Sequence, residues 1–506
     1  MSVIICTAAR RWISAALVCA LIVFMIVIQR EAILSSSRFA YYTRPQSELL
    51  LDQGNFWKSF RRDLIEHGPK VLPLTHPEDT AVDISFNASD QRARPDLLTM
   101  TIPQWEAMRN SHSSFVNKIR AKDYRLPYNS NTRGIVTTAG GPYLPVALVS
   151  IRMLRETGST LPVEVFLSTW KEYDPVICGK VLPTLNAKCV VLQDIFDHDP
   201  ATRKAKNSGI DKFQYKIMSI LFSSFEDVLF LDSDCFPIHD PESLFRSEPY
   251  TSTGLVLWPD FWFPSESPLF FEIASIRPPP IYQRASTEAG EILYSKRKHE
   301  LSLLLATYYN YYGPNFFYPL QSQGAPGEGD KETFLWSAAA LDENYYTVKQ
   351  SVHALGYLTK SGDWKGSAMA QFDPIQDFNP SSIPDDERPT TYPRPFFAHV
   401  NFPKLDPGQI FEEASFGAAG PTTDSDGTRR RVWHETKEDA VNFFGFDLER
   451  IVWGVVKDVA CEYEGEFVSW NREKNICKKA EEYWAAVFGD DDAAAAAAAA
   501  EVGGET

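Results

Sequence analysis

At 506 residues, 44% hydrophobic and 13% aromatic, the chain is too apolar to be disordered and long enough for one large catalytic domain with additions. Fifty Lys and Arg against 66 Asp and Glu leave a formal charge of −16, a field that repels a phosphate backbone and argues against nucleic acid as a partner.

The first predicted element is the uncharged run Trp12 to Ile28, preceded by Arg10 and Arg11. As a helix it covers ~26 Å, close to the hydrocarbon thickness of a bilayer. The run exceeds a signal-peptide core and no small-x-small site follows Gln29-Arg30-Glu31, so an uncleaved anchor is expected over a cleaved leader. The two arginines place residues 1–11 in the cytoplasm and everything after residue 30 in the lumen, a single-pass type II topology. In an oxidising lumen the local pairs Cys178 with Cys189 and Cys461 with Cys477 are favoured, with Cys235 free at a strand end. Asn87-Ala88-Ser89 is a glycosylation sequon and Asn475-Ile476-Cys477 a weak one.

Residues 29–129 read as a luminal stem, polar and broken by Pro, with an amphipathic helix over Glu48 to His67. From about residue 130 to 405 the texture becomes catalytic-domain-like. Strands are expected at Gly134–Ala139, Pro162–Leu167, Cys189–Leu192 and Asp227–Leu231, with helices at Tyr143–Glu156 and Phe213–Phe222. Four such alternations call for an α/β fold with a mostly parallel sheet and ligands beyond the carboxyl ends of its strands. Residues 406–489 read as a C-terminal helical elaboration, with a loop at Gly417–Arg431 and helices at Trp433–Phe446 and Leu448–Ala460, and 490–506 as a low-complexity alanine tail. The Trp-, Phe- and Pro-rich stretch Trp258 to Pro280 is left between stacking on acceptor sugars and plain packing.

The chemistry centres on Asp232-Ser233-Asp234, two carboxylates at the end of the apolar strand Val228–Leu231. Such a pair binds a hard divalent cation that bridges two phosphates. The competing reading is a solvated turn whose carboxylates cap backbone N–H groups, which Pro237 and His239-Asp240-Pro241 fit equally well.

Five ordered blocks, GIVTTAGGPYLPVALVSIRMLRETGSTLPVEVF, KFQYKIMSILFSSFEDVLFLDSDCFPIHDPESLF, TEAGEILYSKRKH, GAPGEGDKETF and FFAHVNFPK, resemble the fungal Golgi α-mannosyltransferases that build α-1,2 and α-1,3 mannose onto mannoprotein glycans. The resemblance implies a GT-A-like (Rossmann-like) nucleotide-sugar-binding domain over 130–405, GDP-mannose as donor, Mn²⁺ as metal and retention of the α configuration. It also implies mannose-containing glycoprotein glycans as acceptors, the Golgi membrane as location, and association with other Golgi mannosyltransferases. Carried over, Asp232 and Asp234 take the metal and diphosphate role, with His399 as a third ligand or a structural histidine. Thr137, Thr138 and Gly140 line the nucleotide pocket, and Lys404 contacts phosphate. Lys212, Tyr215 and Lys216 meet phosphate or sugar, or form a solvated helix face. Asp330 and Glu332, in the glycine-rich run Gln321–Thr333, are the catalytic candidates, or else cap the helix Thr333–Leu341. A carboxylate nucleophile and a front-face mechanism both stay open. The alternatives in function are a metal-dependent transferase for another nucleotide sugar and a catalytically silent Golgi lectin or scaffold. A secreted hydrolase is disfavoured, because no carboxylate pair reads as acid and nucleophile.

Overall fold

The structure, a computed structural model, describes residues 46–78, 80–81, 84–198, 209–380, 391–411 and 420–503. The expected anchor at 12–28 lies outside the described residues, and no helix among them is long and apolar enough to cross a membrane. The body traced below is Leu51–Thr506.

The apolar runs from Gly134 onward become strands because Val, Ile, Leu and Phe suit a pleated surface covered on both faces. The strands are β1 (Asn129–Thr138), β2 (Val163–Leu167), β3 (Ala187–Val191), β4 (Phe225–Leu231), β5 (Cys235–Pro237), β6 (Leu255–Pro259), β7 (Thr287–Ser295), β8 (Tyr346–Thr347), β9 (His353–Leu358), β10 (Trp364–Phe372) and β11 (Pro395–His399). Seven form one sheet in the order β3-β2-β1-β4-β7-β6-β8. Neighbours β3 through β4 are parallel, as expected, with Ile135 opposite Val163 on one side and Leu229 on the other. Strands β7 and β6 then run antiparallel, Leu231 facing Glu291. The fold is thus the expected mostly parallel, GT-A-like α/β arrangement, with an antiparallel insertion that the sequence pattern does not announce. A second sheet, β5-β11-β10-β9, is wholly antiparallel and sets His399 opposite Cys235.

The helices are α1 (Gln46–Glu66), α2 (Ile102–Ala121), α3 (Leu144–Glu156), α4 (Gln214–Phe222), α5 (Pro268–Ala274), α6 (Glu300–Tyr311), α7 (Thr333–Leu341), α8 (Lys437–Phe444), α9 (Leu448–Tyr463) and α10 (Ile476–Gly503). Side chains alternate across the sheet. Ile135, Leu229 and Leu231 join a core with α3 and α9, whereas Val136, Val228 and Phe230 are buried outside that cluster. Trp57 of α1 is fully buried, 5.1 Å from the Phe196 ring and 6.0 Å from Phe222, and Phe60 meets Phe115 of α2 at 6.2 Å. Burying one such side chain stabilises by about 1.5–3 kcal/mol. Helix α1 of the segment assigned to the stem therefore packs against α4, the helix that precedes β4, and α2 packs on α1.

Helix α8 begins at Lys437, later than the pattern suggests, because Thr436 accepts the Asp439 N–H as its N-cap, and it ends where Gly445 turns left-handed at φ 86°. Helix α10 runs on through the alanines of the expected tail, consistent with alanine's helix propensity. Both expected disulfides are formed and Cys235 is a buried free thiol. Asn87 of the sequon is exposed in a turn. In the stretch left open for acceptor sugars, Trp258 is fully buried and donates its indole N–H to the Phe372 carbonyl at 2.9 Å, and Phe270 and Phe271 pack on Trp336. These three aromatics pack rather than stack on sugar.

Candidate metal and donor site

Strand β4 ends at Leu231 and delivers Asp232 to the carboxyl edge of the sheet. Asp232 donates its N–H to the Gly290 carbonyl of β7 at 2.8 Å, and its own carbonyl accepts from Cys235 N at 2.9 Å, closing a tight turn. That turn aims Asp234 at the second sheet, where its carbonyl accepts from Val400 N at 2.8 Å. One oxygen or nitrogen from each of Asp232, Asp234 and His399 falls within 4.8 Å of the others. Gly290 makes this possible: a Cβ there would lie 2.5 Å from His399 Nδ1.

Cations surround the carboxylates. His399 Nε2 stands 3.3 Å from Asp234 Oδ1, and Lys404 reaches the other Asp234 oxygen. Burial alone would raise the Asp234 carboxyl, but His399 and Lys404 outweigh it and hold it well below the usual range. Burial likewise pushes the His399 imidazole down, yet the carboxylate of Asp234 prevails and lifts it to about 10. Its Nδ1, 3.7 Å from Glu288, has no hydrogen-bond partner. Lys216 is buried, donates to the Ala289 carbonyl at 2.6 Å and to Asp232 Oδ2 at 3.1 Å, and lies 3.6 Å from Asp330 Oδ2. Two hard oxygens and an imidazole whose ligand atoms converge suit a divalent ion such as Mn²⁺ or Mg²⁺, and the imidazole keeps Nδ1 without a hydrogen-bond partner. The residues present fit the metal that the resemblance implies.

Asp232, Asp234, Lys216, Asp330 and Lys404 open onto a cleft of about 770 Å³, which His399 does not line. Of the expected residues, Thr138, Gly140, Lys212, Tyr215, Lys216, Asp232, Asp234, Asp330 and Lys404 line it. Thr137 does not: it borders a smaller void beneath, with its hydroxyl buried and unpartnered. Strand alternation explains this, since adjacent residues of β1 face opposite sides of the sheet. Lys212 precedes α4 in a left-handed turn, φ 49°, and is exposed. Burial raises the Tyr215 phenol.

Asp330 and Glu332 part company. Asp330 is buried against the cleft with Oδ2 unpartnered, and burial raises its carboxyl to about 6 against the pull of Lys216. Glu332 is absent from the cleft lining. Its oxygens accept from Arg284 at 2.9 and 3.3 Å and from Thr287 N at 2.8 Å, so it corrects to a positioning residue. The loop carrying both is anchored by Gln323, whose amide donates to the Pro95 and Ser265 carbonyls at 2.9 and 2.8 Å and accepts from Leu97 and Leu98 N at 2.8 and 3.2 Å.

Glu172, Asp260, Glu288 and Lys331 also line the cleft and went unread in the sequence. Lys331 donates to Asp260 at 2.9 Å. The one available signal was Gly290, a glycine within an apolar strand, which marks a close approach beside Glu288.

Residues 132–373 match the model of the family described as "Mannosyltransferase putative". Among curated relatives, the α-1,2-mannosyltransferase MNN21 of Candida albicans is 34% identical over 426 residues, covering 72% of this chain and 63% of its own length. The α-1,2-mannosyltransferase MNN2 of Saccharomyces cerevisiae is 37% identical over 279 residues, covering 48% and 46%. The chain thus spans less than two thirds of the length of these relatives. Among solved structures, the glycosyltransferase GlyE of Streptococcus pneumoniae aligns with TM-score 0.27 at 14% identity over 43% of this chain and 46% of its own. The galactosyltransferase LgtC aligns with TM-score 0.27 at 13% identity over 42% and 73%.

Proposed function

We propose that this chain, whose residues 132–373 match the mannosyltransferase family model, is a retaining α-mannosyltransferase that moves mannose from GDP-mannose to mannoside acceptors of glycoproteins. The observation that carries the reading is the convergence of Asp232, Asp234 and His399, the two aspartates lining the large cleft at the carboxyl edge of the sheet. These three would hold Mn²⁺, which would supply positive charge to a leaving diphosphate. Lys404, half-exposed at the rim, reaches the same phosphates as a point charge. Lys216 keeps Asp232 and Asp330 apart in charge, and its buried ammonium stays protonated because Asp232 and Asp330 more than offset the burial that pulls it down. Asp330, which lines the cleft beside Lys216, holds a mannose hydroxyl or stabilises positive charge developing at the anomeric carbon. Glu332 fixes the loop through Arg284 so that Asp330 faces inward. We place the protein in the Golgi membrane as a single-pass type II chain, on the strength of the Trp12–Ile28 run and the arginines before it.

The test is turnover by the purified full-length chain with GDP-mannose and UDP-sugars, with and without Mn²⁺, with product linkage read by NMR. Mn²⁺-dependent α-mannoside formation supports the reading. Turnover with a UDP-sugar but not with GDP-mannose sinks it.

A further inference from the structure

We propose that Glu172 is the residue by which the cleft selects its nucleotide, accepting hydrogen bonds from the paired N–H donors of a guanine base. The inference rests on the donor reading above, because it assumes that the diphosphate lies at Asp232 and Asp234.

The strand order sets the distances. From Asp232 just after β4, the cleft runs past Thr138 at the end of β1 and Gly140 beyond it to Phe166 and Ser168 at the end of β2 and Leu192 beyond β3. Neighbouring strands lie about 4.8 Å apart, so the mouth of β2 is about 10 Å from the metal ligands. A nucleoside diphosphate laid along that row from its metal-bound phosphates brings its base to this end. The buried rings and chains of Phe166 and Leu192 form an apolar floor suited to a flat heterocycle.

Of the carboxylates lining the cleft, Glu172 is held in place at this end. Glu172 Oε2 accepts from Ser168 N at 2.8 Å and Ser168 Oγ at 2.7 Å, while Oε1 accepts no hydrogen bond among the described residues. The turn Trp170–Glu172 that carries it is pinned by the Trp170 indole donating to Asp194 at 2.7 Å. Gly140 lets the carboxylate close on β1: a Cβ there would come within 2.6 Å of it. Ionised, a carboxylate offers acceptors only. Guanine presents two adjacent donors, N1–H and the 2-amino group. Uracil offers one N–H flanked by two carbonyls that repel a carboxylate, and adenine and cytosine each place a ring acceptor beside their amino group. Guanine alone among these presents adjacent donors, with no acceptor beside them, to the lone pairs of Oε1, and a site built to satisfy such donors discriminates strongly against ligands that lack them.

The experiment is calorimetric titration of the full-length chain with Mn²⁺, using GDP, inosine diphosphate, UDP and inorganic pyrophosphate on the parent and Glu172→Gln. Glutamine retains an acceptor for Ser168 but turns an amide donor toward the base. The expected result is GDP bound at least tenfold more tightly than inosine diphosphate or UDP by the parent, with that preference lost in the variant and the Kd of pyrophosphate unchanged. A variant that keeps the preference, or a parent that binds inosine diphosphate as tightly as GDP, overturns the inference while pyrophosphate binding leaves the metal site standing. Weakened pyrophosphate binding in the variant overturns it too, by showing that Glu172 only holds the turn. If the parent binds neither GDP nor pyrophosphate with Mn²⁺, the donor reading itself falls and takes this inference with it.

Discussion

The missing side chain at Gly290 is what lets His399, from another sheet, approach the two aspartates. Gly290→Ala should fold yet lose at least tenfold in turnover, about 1.4 kcal/mol in the barrier, with its Mn²⁺ requirement raised, as a metal titration of activity would show. Parental Mn²⁺ dependence in that variant would remove His399 from the ligand set. Asp232→Asn and Asp234→Asn keep shape but remove charge, so activity should fall strongly in both and recover in part at high Mn²⁺; folded variants with parental metal response would defeat the metal reading. The two acidic loop residues separate cleanly. Asp330→Asn should cost at least tenfold in kcat with an unchanged melting temperature, whereas Glu332→Ala leaves Arg284 with only Glu266 and should cost about 3–5 kcal/mol of stability, measured by denaturant unfolding. Asp232 and Asp234 were legible in the sequence because a buried strand dictates where its next residues point. Glu332 was not, since in a loop two residues' spacing says nothing about direction, and the Arg284 that claims it is 48 positions away. Glu288 was hidden for a related reason: it reaches the cleft only because β7 pairs with β4, a long-range choice that no local pattern encodes.

At the scale of elements, the periodicities of α1, α3, α4 and of β1 to β4 could be read directly because each buries a continuous apolar face. The antiparallel pair β6 and β7 and the whole second sheet escaped, although the second sheet supplies His399. Strands buried on both faces read as undifferentiated apolar runs, and the pairing partners of β11 lie on β10 and on the distant β5. Helix α1 carries a consequence for catalysis. Its Trp57 lies against Phe222 at the end of α4, and α4 also bears Lys216. Trp57→Ala should therefore cost about 3–5 kcal/mol of stability by cavity formation. Calorimetric unfolding of the full chain would measure it; a melting temperature equal to the parent's would mean that α1 contributes little to this core.

For the whole molecule, the net charge of −16 counts carboxyls whose ionisation burial opposes. Burial raises Glu449 to about 7 and Asp406 to about 6, despite the Val432 N–H on the first and the Trp470 indole on the second. Between pH 4.5 and 7 the folded chain holds the Glu449 proton that the unfolded chain has released, so stability is full below that window and declines as pH rises through it. A tenfold difference in proton affinity between the folded and unfolded chain is worth about 1.4 kcal/mol, enough for the urea midpoint to fall measurably between pH 5 and 8. Glu449→Gln, a permanent mimic of the protonated group, should flatten that slope; an unchanged slope would assign it elsewhere. Gln323 has a bearing of another kind. Its amide is satisfied by the backbones of Pro95, Leu97, Leu98 and Ser265, so the wall of the cleft and a segment more than 200 positions earlier share one set of bonds. Recombination among relatives is constrained accordingly: a chimera joined at residue 129 inherits a Gln323 three of whose four backbone partners come from another parent, whereas a junction ahead of residue 94 transmits the set intact.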